Sequence, residues 1–361
     1  CCFLPLALQR LEIQHLRNIE HTKLEFSPSV NLIIGPNASG KTSLLEAISL
    51  ICQGRSFRTT RIDQLIQHEQ QGMLLVAHYV QDNEKQIIGL ARENRKTRVK
   101  INGQAILKTT ELAGRIPLFI LIPESHELLD SGPKMRRQYL DWGVFHVEHH
   151  YLDIWKQYHR ILRQRNSALR RHRTQQEIQA WDQPLVEKAK LLHRFRQDYI
   201  DRLSPVLAMY GERLIDENPQ FDYHPGWDVK DGSLDLVGQL NEGFSQDQER
   251  GFTRLGPHRA DIKIKISDKP VQTVFSRGQQ KLLICAMTLA QLKLQPVDSI
   301  LLVDDLPAEL DPQRRAILMS ALKETGAQVF VTATEPDLIE LSGWSEPKMF
   351  HVKHGYFQDV V

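Results

Sequence analysis

An α/β fold with an antiparallel β-layer and an inserted, coiled-coil-like helical arm is predicted by three features of the sequence. An apolar run over residues 30–34 passes through a glycine-rich turn into a helix-forming segment, which is typical of α/β proteins. Residues 72–101 break into short strand-like runs, and Asn102-Gly103 is a type I′ hairpin signal. Between residues 149 and 214, apolar residues recur three, four or seven positions apart, which indicates two helices with heptad seams.

Before the glycine-rich turn, strands are expected at residues 11–16 and 23–26, joined by a polar hairpin turn. Residues 1–8 are apolar but lack the basic segment and cleavage signal of a secretory leader, so we expect an extension outside the fold. No apolar run reaches membrane-spanning length, and the four cysteines form no C-x-x-C pair. These features favour a cytoplasmic protein with no membrane partner.

The glycine-rich turn fills every fixed position of the P-loop motif, G-x-x-x-x-G-K-T, and lies between a strand and a helix. Gly35 and Gly40 allow successive backbone N–H groups to point at a phosphate, and the following helix adds its positive end. Lys41 is placed to reach the outer phosphates, and the Thr42 hydroxyl to bind Mg²⁺. We therefore predict a site for a nucleoside triphosphate and its Mg²⁺, formed by Gly35, Pro36, Asn37, Ala38, Ser39, Gly40, Lys41 and Thr42.

The P-loop helix is expected to end near Gly54, and the next residues, 54–61, include three arginines. The β-layer and a further strand are then predicted at residues 73–76, 86–90, 97–101 and 117–122.

The helical arm is predicted from two seams, one with Tyr151, Trp155, Tyr158, Leu162 and Leu169, the other with Leu185, Leu192, Tyr199 and Val206. A polar link between the two helices is expected around residues 179–184. Each seam covers only about three heptads, so a free-standing coiled coil and two helices of an ordinary bundle both remain open.

Arginines crowd the first of these helices, at Arg160, Arg163, Arg165, Arg170, Arg171 and Arg173. A solvated helix face and a nucleic-acid contact are both open interpretations, and Arg136 and Arg137 are further candidates for such a contact. Because the formal net charge is only +2, any DNA-binding surface must be local.

A second cluster of candidate site residues follows near the C-terminus. Ser276, Arg277, Gly278 and Gln279 open an apolar helix, whose first N–H groups are suited to a phosphate. The apolar run 300–303 indicates a buried parallel strand, and Asp304 and Asp305 follow at its carboxyl end, where α/β proteins bind ligands.

We expect Asp304 to hold Mg²⁺ through water and Asp305 to act as the general base that orients an attacking water. The P-loop, the Ser-x-Gly-Gln helix start and the Asp-Asp strand occur in the order of an ABC-type P-loop ATPase head.

With these motifs the sequence resembles the RecF family of SMC-like ABC ATPases. The resemblance runs from about Leu11 to near the C-terminus and rests on residues 16–18, 35–42, 54–58, 136–141, 256–261, 276–279 and 304–311. It implies that two copies sandwich two nucleotides in an ATP-dependent homodimer. It also implies further nucleotide-binding residues, which are Arg17, Asn18, Ser276, Arg277, Gly278 and Gln279.

The resemblance further implies a cytoplasmic DNA repair and replication protein. Such a protein binds gapped DNA and junctions of single-stranded and double-stranded DNA when ATP is bound. With RecO and RecR it helps to load RecA, which supports the SOS response. Thr332 stands where ABC transporters carry a histidine, and Asp305 is shorter than their usual glutamate. Both departures favour weak ATP hydrolysis that acts as a switch, and the resemblance implies that this hydrolysis depends on DNA.

Three segments are expected: an N-terminal half of the ATPase head at residues 9–133, a helical arm at 134–250 and a C-terminal half of the head at 251–361. Two alternative functions are disfavoured. A transporter's nucleotide-binding subunit is disfavoured by the arginine-rich insertion and by Ser-Arg-Gly-Gln in place of Ser-Gly-Gly-Gln. A long SMC-like tether is disfavoured by the short arm.

Overall fold

The computed structural model describes residues 6–81, 84–107, 109–122, 125, 127–229, 235–295, 298–305 and 309–360. The chain divides into two compact units, the first within residues 1–125 and 287–361 and the second within residues 126–286. The domain boundaries expected after residues 133 and 250 remain predictions.

The first unit contains a six-stranded antiparallel sheet in the order β2-β1-β4-β5-β6-β7. Its strands are β1 (Ala7–Leu16), β2 (Ile19–Glu25), β4 (Gly72–Gln81), β5 (Glu84–Glu93), β6 (Lys96–Ile101) and β7 (Gln104–Ile106). Between β6 and β7, Asn102 and Gly103 have φ values of 49° and 81°, as a type I′ turn requires. The predicted antiparallel β-layer is therefore confirmed.

The expectation that residues 1–8 lie outside the fold is wrong for residues 6–8. Ala7 and Leu8 pair with Val80 and Tyr79 of β4, and Leu8 is buried. The backbone of Leu8 also exchanges two hydrogen bonds with the side chain of Gln328. Burial of apolar side chains and ladder hydrogen bonds therefore draw these residues into the sheet. Residues 1–5 lie outside the described part of the chain.

The second sheet of this unit has the order β15-β14-β3-β13-β12-β8, and all its pairs are parallel except β14 with β15. Its strands are β3 (Val30–Ile34), β8 (Leu118–Leu121), β12 (Ile300–Val303), β13 (Gln328–Ala333), β14 (Lys348–Lys353) and β15 (Tyr356–Asp359). The helices of the unit are α1 (Lys41–Gln53), α2 (Thr110–Arg115) and α11 (Pro312–Glu324). Gly54 caps α1 with φ of 67°, as the sequence predicts.

Buried side chains from both sheets and from α1 form one apolar core. On α1 they include Leu44, Leu45, Ile48 and Ile51, and β1 contributes Leu11 and Ile13. The alternation of β1 and the helical spacing of α1 therefore turn their apolar faces to the same core.

The second unit is mostly helical. It contains α3 (Glu127–Asp130), α4 (Pro133–Val147), α5 (Tyr151–Arg170), α6 (Gln175–Ile215), α7 (Leu236–Glu242), α8 (Phe244–Arg250) and α9 (Val271–Val274). A three-stranded antiparallel sheet joins β9 (Gln220–His224), β10 (Asp261–Ile266) and β11 (Lys269–Pro270). Helix α10 (Arg277–Lys293) begins in this unit and ends in the first.

The expected link between the two long helices is wrong, because α5 ends at Arg170 and α6 begins at Gln175. Thr174 and Glu177 form a capping box that starts α6, and Pro184 lies inside the helix. The reciprocal hydrogen bonds of the box satisfy N–H groups at the helix start. The proline was therefore a weaker boundary signal than the Thr-x-x-Glu pattern.

Helices α5 and α6 pack together through most of the predicted seam. Tyr158 and Leu162 on α5 and Leu192 on α6 are buried. Farther along α6, Leu207 is buried and Val206 only half-buried. A straight helix has 3.6 residues per turn, so a strict heptad seam drifts around its surface.

Candidate functional site

The P-loop and the Asp304–Asp305 pair follow β3 and β12, two parallel strands of the first unit that lie on either side of β13. In the ladder, Val303 of β12 pairs with Val331 of β13, and Ala333 of β13 pairs with Ile34 of β3. The P-loop and Asp304 therefore leave the sheet at its same, carboxyl edge. This edge is where parallel α/β sheets bind ligands.

The P-loop connects β3 directly to α1 and has the backbone of a tight anion-binding turn. Ala38 and Gly40 have positive φ values of 63° and 121°. At Gly35, a Cβ atom would overlap the carbonyl oxygen of Val352. The two fixed glycines are therefore required, one by its conformation and one by close packing.

Lys41 opens α1 and is 3% exposed. Its ammonium donates to the carbonyl oxygen of Gly35 at 2.9 Å, within the loop itself, and lies 3.6 Å from Asp305. The hydroxyl of Ser39 is buried in the same loop and has no hydrogen-bond partner among the described residues. A buried cation and a buried donor thus lie together in the turn, as a phosphate group requires.

Thr42, Asp304 and Thr332 form a hydrogen-bonded group beside the loop. Thr42 donates its hydroxyl to one carboxylate oxygen of Asp304 at 2.9 Å, and Thr332 donates to the other at 2.7 Å. Burial raises the pKa of Asp304, although both hydroxyls favour its charged form. A buried carboxylate beside a hydroxyl supplies the hard oxygen ligands that Mg²⁺ prefers.

Asp305 has φ of 47°, and its backbone N–H donates to the hydroxyl of Thr332 at 2.8 Å. Its side chain is 35% exposed and faces the Lys41 ammonium. Residues 306–308 lie outside the described chain, so Ala308 of the predicted motif is not placed. Asp311 of the same motif caps α11 through the N–H of Arg314.

Arg17 and Asn18 lie on the turn between β1 and β2, next to the P-loop. The Asn18 side chain donates to the carbonyl oxygen of Ser39 at 3.0 Å and accepts from the Ser43 hydroxyl at 2.9 Å. Arg17 forms a two-pronged ion pair with Glu46 of α1.

Glu46 is a site residue that the sequence analysis missed. It is fully buried, and its carboxylate also accepts from Ser56 at 2.6 Å. Its position one helical turn after Thr42 was the available signal. Through Glu46, the second turn of α1 is tied to both Arg17 and the segment that follows the helix.

In the second unit, residues 276–279 form a helix cap at an exposed surface. The backbone N–H of Ser276 donates to the Gln279 side chain at 3.0 Å, and the Ser276 hydroxyl accepts from the Gln279 N–H at 3.3 Å. Arg277 is paired with Asp130 at 2.6 Å. A Cβ atom at Gly278 would meet nothing within 4 Å. Packing among the described residues therefore does not require a glycine there.

The motif at residues 256–261 is held by buried polar contacts of the same unit. His258 hydrogen-bonds to Tyr158 at 2.7 Å and to the carbonyl oxygen of Thr253 at 2.9 Å. Burial lowers the pKa of His258 to about 4, so this histidine is neutral near pH 7. Asp261 forms a two-pronged ion pair with Arg136. These residues stabilise the unit's interior.

Two of the candidate DNA-contact arginines are removed by their burial. Arg136 is buried against Asp261. Arg165 is fully buried and pairs with Asp182 at 2.7 Å and Asp247 at 2.9 Å. Arg137 is half-buried, while the exposed arginines of this set are Arg160, Arg163, Arg170, Arg171 and Arg173.

Among the described residues, no cluster of three His, Cys, Asp or Glu side chains could hold a metal by itself. Mg²⁺ is commonly bound by one or two carboxylates together with the phosphates of its nucleotide, so Thr42 and Asp304 fit this ion. The same described residues contain no helix long and apolar enough to cross a membrane.

The sequence matches the family model described as the RecF/RecN/SMC N-terminal domain over residues 7–356. It is 40% identical over 353 residues to the DNA replication and repair protein RecF of Hydrogenovibrio crunogenus, covering 96% of this chain and 97% of that protein. The same protein of Shewanella denitrificans is 42% identical over 357 residues, covering 97% of this chain and 98% of its own length.

Among solved structures, the recombination mediator protein RecF with ATP, of the RecFOR pathway, superposes with a TM-score of 0.87 at 26% identity. That match covers 100% of this chain and 99% of the other. An Smc head bound to the C-terminal winged-helix domain of ScpA gives a TM-score of 0.60 at 14% identity, covering 98% and 96%. This second likeness shows the fold alone, an SMC-like ABC ATPase head. On these similarities over nearly its whole length, the chain belongs to the RecF family.

Proposed function

We propose that this protein is an ATP-binding and ATP-hydrolysing DNA repair and replication protein of the cytoplasm. The observation that carries the proposal is the Thr42–Asp304 contact at 2.9 Å, beside the buried Lys41 of the P-loop. The Thr42 hydroxyl and the Asp304 carboxylate supply oxygen ligands for Mg²⁺, and the Lys41 ammonium supplies a positive charge for the triphosphate. A RecF structure that contains ATP has the same fold, which supports this assignment.

In this proposal the loop residues 35–42 bind the phosphates with their backbone N–H groups. The Lys41 ammonium would turn from the carbonyl oxygen of Gly35 to a phosphate oxygen. A neutral hydrogen-bond acceptor would thereby be replaced by a charged one, which binds an ammonium more strongly. Thr42 and Asp304 would hold Mg²⁺, which supplies charge neutralisation for the phosphates. The Thr332 hydroxyl keeps Asp304 oriented, as its 2.7 Å hydrogen bond indicates.

Asp305 is the proposed general base. Its side chain lies 3.6 Å from the Lys41 ammonium and is partly exposed, so water reaches it beside the phosphate site. Because an aspartate reaches less far than a glutamate, we propose that hydrolysis is weak. DNA binding would accelerate it.

Two copies of the chain are proposed to form an ATP-dependent homodimer through residues 276–279. Ser276 and Gly278 are exposed, and the space around Gly278 is open. An exposed helix start is suited to the phosphates of a nucleotide bound by a second copy. Arg277 and Gln279 would complete that surface.

For DNA, we propose binding to single-stranded DNA, gaps and single-strand/double-strand junctions in the ATP-bound form. The exposed arginines on α5 and directly after it are the proposed phosphate contacts. Contacts of this kind carry no base-sequence information, so little sequence preference is expected. The relatives' name, DNA replication and repair protein RecF, supports this role. The RecFOR pathway named with the similar structure supports RecO and RecR as partners, in loading RecA and promoting the SOS response.

The test is ATP binding and turnover by Lys41 variants. Lys41→Ala should lose ATP binding, because backbone amides do not replace the buried charge. Lys41→Arg should bind ATP but fail to hydrolyse it, since a planar fork replaces a compact cation. Lys23→Ala, at an exposed lysine of β2, is the control and should behave as the wild type. Wild-type ATP affinity in Lys41→Ala would reject the proposed site.

A further inference from the structure

The carbonyl oxygen of Ser39, inside the P-loop, accepts two hydrogen bonds from distant parts of the chain. The side-chain amide of Asn18 donates at 3.0 Å, from the turn between β1 and β2. The backbone N–H of Gly355 donates at 2.7 Å, from the turn between β14 and β15. Three segments of the first unit therefore meet at a single oxygen atom.

This junction is closely packed. A Cβ atom at Gly355 would overlap the carbonyl oxygen of Asn18, and Gly355 has φ of 80°. Asn18, the other residue that donates to the Ser39 carbonyl oxygen, accepts a hydrogen bond in its side chain from the Ser43 hydroxyl of α1 at 2.9 Å. The β14–β15 turn therefore reaches the P-loop only because residue 355 has no side chain.

The two hydrogen bonds determine where the next N–H group points. The peptide between Ser39 and Gly40 is trans, and in a trans peptide the C=O and N–H bonds point in opposite directions. With the Ser39 carbonyl held toward Asn18 and Gly355, the Gly40 N–H is directed away from both turns. Gly40 lies in the proposed phosphate-binding loop, so this N–H is one of its donors.

We propose that Gly355 and Asn18 are positioning residues, which orient the Gly40 N–H toward the phosphates by holding the Ser39 carbonyl. The inference rests on the proposed nucleotide site and adds the C-terminal β14–β15 turn to it. The resemblance to the RecF family predicted Asn18 as a nucleotide contact, whereas here it acts through Ser39.

The chain offers a matched control for a substitution at Gly355. The β14–β15 turn contains His354 and Gly355 at φ of 51° and 80°, and the β6–β7 turn contains Asn102 and Gly103 at 49° and 81°. A Cβ atom at Gly103 would meet nothing within 4 Å. Gly355→Ala and Gly103→Ala therefore impose the same left-handed strain, but only the first disturbs the P-loop.

The experiment measures dissociation constants for ATP and for ADP by titration calorimetry, and unfolding midpoints without nucleotide. Gly355→Ala should weaken the binding of ATP and of ADP about tenfold. Asn18→Ala should weaken it about threefold to tenfold, because one hydrogen bond is lost. Gly103→Ala should stay within about twofold of the wild type. Asn18 is exposed, so Asn18→Ala decides the question if Gly355→Ala fails to fold.

A spectroscopic readout separates positioning from general loss of stability. In ¹⁵N-glycine-labelled protein, the Gly40 amide proton should shift on addition of ADP in the wild type and in Gly103→Ala. That shift should be reduced in Asn18→Ala even when ADP saturates the protein. If wild-type protein fails to bind ATP, the proposed function is wrong. If it binds ATP and both Asn18→Ala and Gly355→Ala bind equally well, the positioning role is overturned.

Discussion

Thr42 and Asp304 lie 262 positions apart in the sequence, yet the Thr42 hydroxyl is 2.9 Å from the Asp304 carboxylate. The carboxylate is buried, and a second hydroxyl, from Thr332, lies 2.7 Å from its other oxygen. Removal from water raises its pKa. The folded protein therefore keeps a charged group at a cost in stability.

Asp304→Asn should stabilise the nucleotide-free protein at pH 8. A raised folded-state pKa means that the folded state binds more protons than the unfolded chain between the ordinary and the raised pKa. Stability therefore falls as pH rises through that window, and the cost is complete above it. We expect the free energy of urea unfolding to rise by about 0.5–2 kcal/mol at pH 8 and less in acid.

The same substitution should abolish Mg²⁺-dependent ATP binding. Asp337→Asn, at an exposed aspartate of the same unit, should change neither property. A lower free energy of unfolding for Asp304→Asn at pH 8 would contradict the assigned desolvation cost.

Asp305→Asn should slow ATP turnover by about a hundredfold or more, which is the usual effect of losing a general base. Because a negative charge near the outer phosphate is also removed, the ATP-bound dimer should last longer. Single-turnover hydrolysis and the lifetime of the dimer after dilution measure these two effects. A shorter-lived dimer would count against Asp305 as the base.

Ser276→Arg should leave ATP binding by the monomer nearly unchanged but remove ATP-induced dimers. In the proposed dimer, the nucleotide of a second copy contacts this exposed helix start. The added arginine side chain would occupy that position. Ser245→Arg, at an exposed serine of α8, is the control and should still dimerise. Sedimentation with and without ATP measures the outcome. An equal loss of nucleotide binding by the monomer would mean that residues 276–279 act within one chain.

Replacement of Arg170, Arg171 and Arg173 by alanine should flatten the salt dependence of DNA binding. If all three contact phosphates, the slope of log affinity against log salt should fall by about two to three units per protomer. The measurement is affinity for gapped duplex across a salt series, with ATP and with ADP. We expect a steeper slope with ATP, because the ATP-dependent dimer would bring the arginines of two copies onto the same DNA. Equal slopes with ATP and ADP would refute this mechanism.

Arg165→Ala tests whether the buried arginine of α5 has a structural role distinct from that of the proposed DNA contacts. Its loss leaves Asp182 buried without its cation and Asp247 with Arg254 in place of two arginines, so the unit should lose about 3–5 kcal/mol of stability. The salt slope of any folded fraction should match that of the wild type. If the slope is also unchanged when Arg170, Arg171 and Arg173 are replaced by alanine, those three arginines belong to a solvated face.

Local patterns predicted the P-loop, because a strand, a turn and a helix start are encoded within thirteen residues, 30–42. The Asp304 site was likewise predictable from an apolar strand followed by carboxylates. The role of Thr332 was not, since its contact depends on which strand lies beside β12. Its position in the sequence showed only that a histidine was missing there.

Charge patterns were less informative than apolar ones. Arg165 and Arg163 are two positions apart on α5, and one is fully buried while the other is exposed. The position of Arg165 between buried Leu162 and Leu169 was a signal for the interior face. Its two aspartate partners lie on α6 and α8, and only the tertiary structure brings them together.

The two ion pairs of Arg165 become possible at different times during synthesis. Asp182 follows Arg165 by 17 residues, but Asp247 follows it by 82. At about 5–20 residues per second, Asp247 leaves the ribosome some 4–16 s after Arg165. During that interval the newly made pair of helices holds an interior cation with one of its two carboxylates missing. The charge network around Arg165 is therefore complete only after α8 has been synthesised.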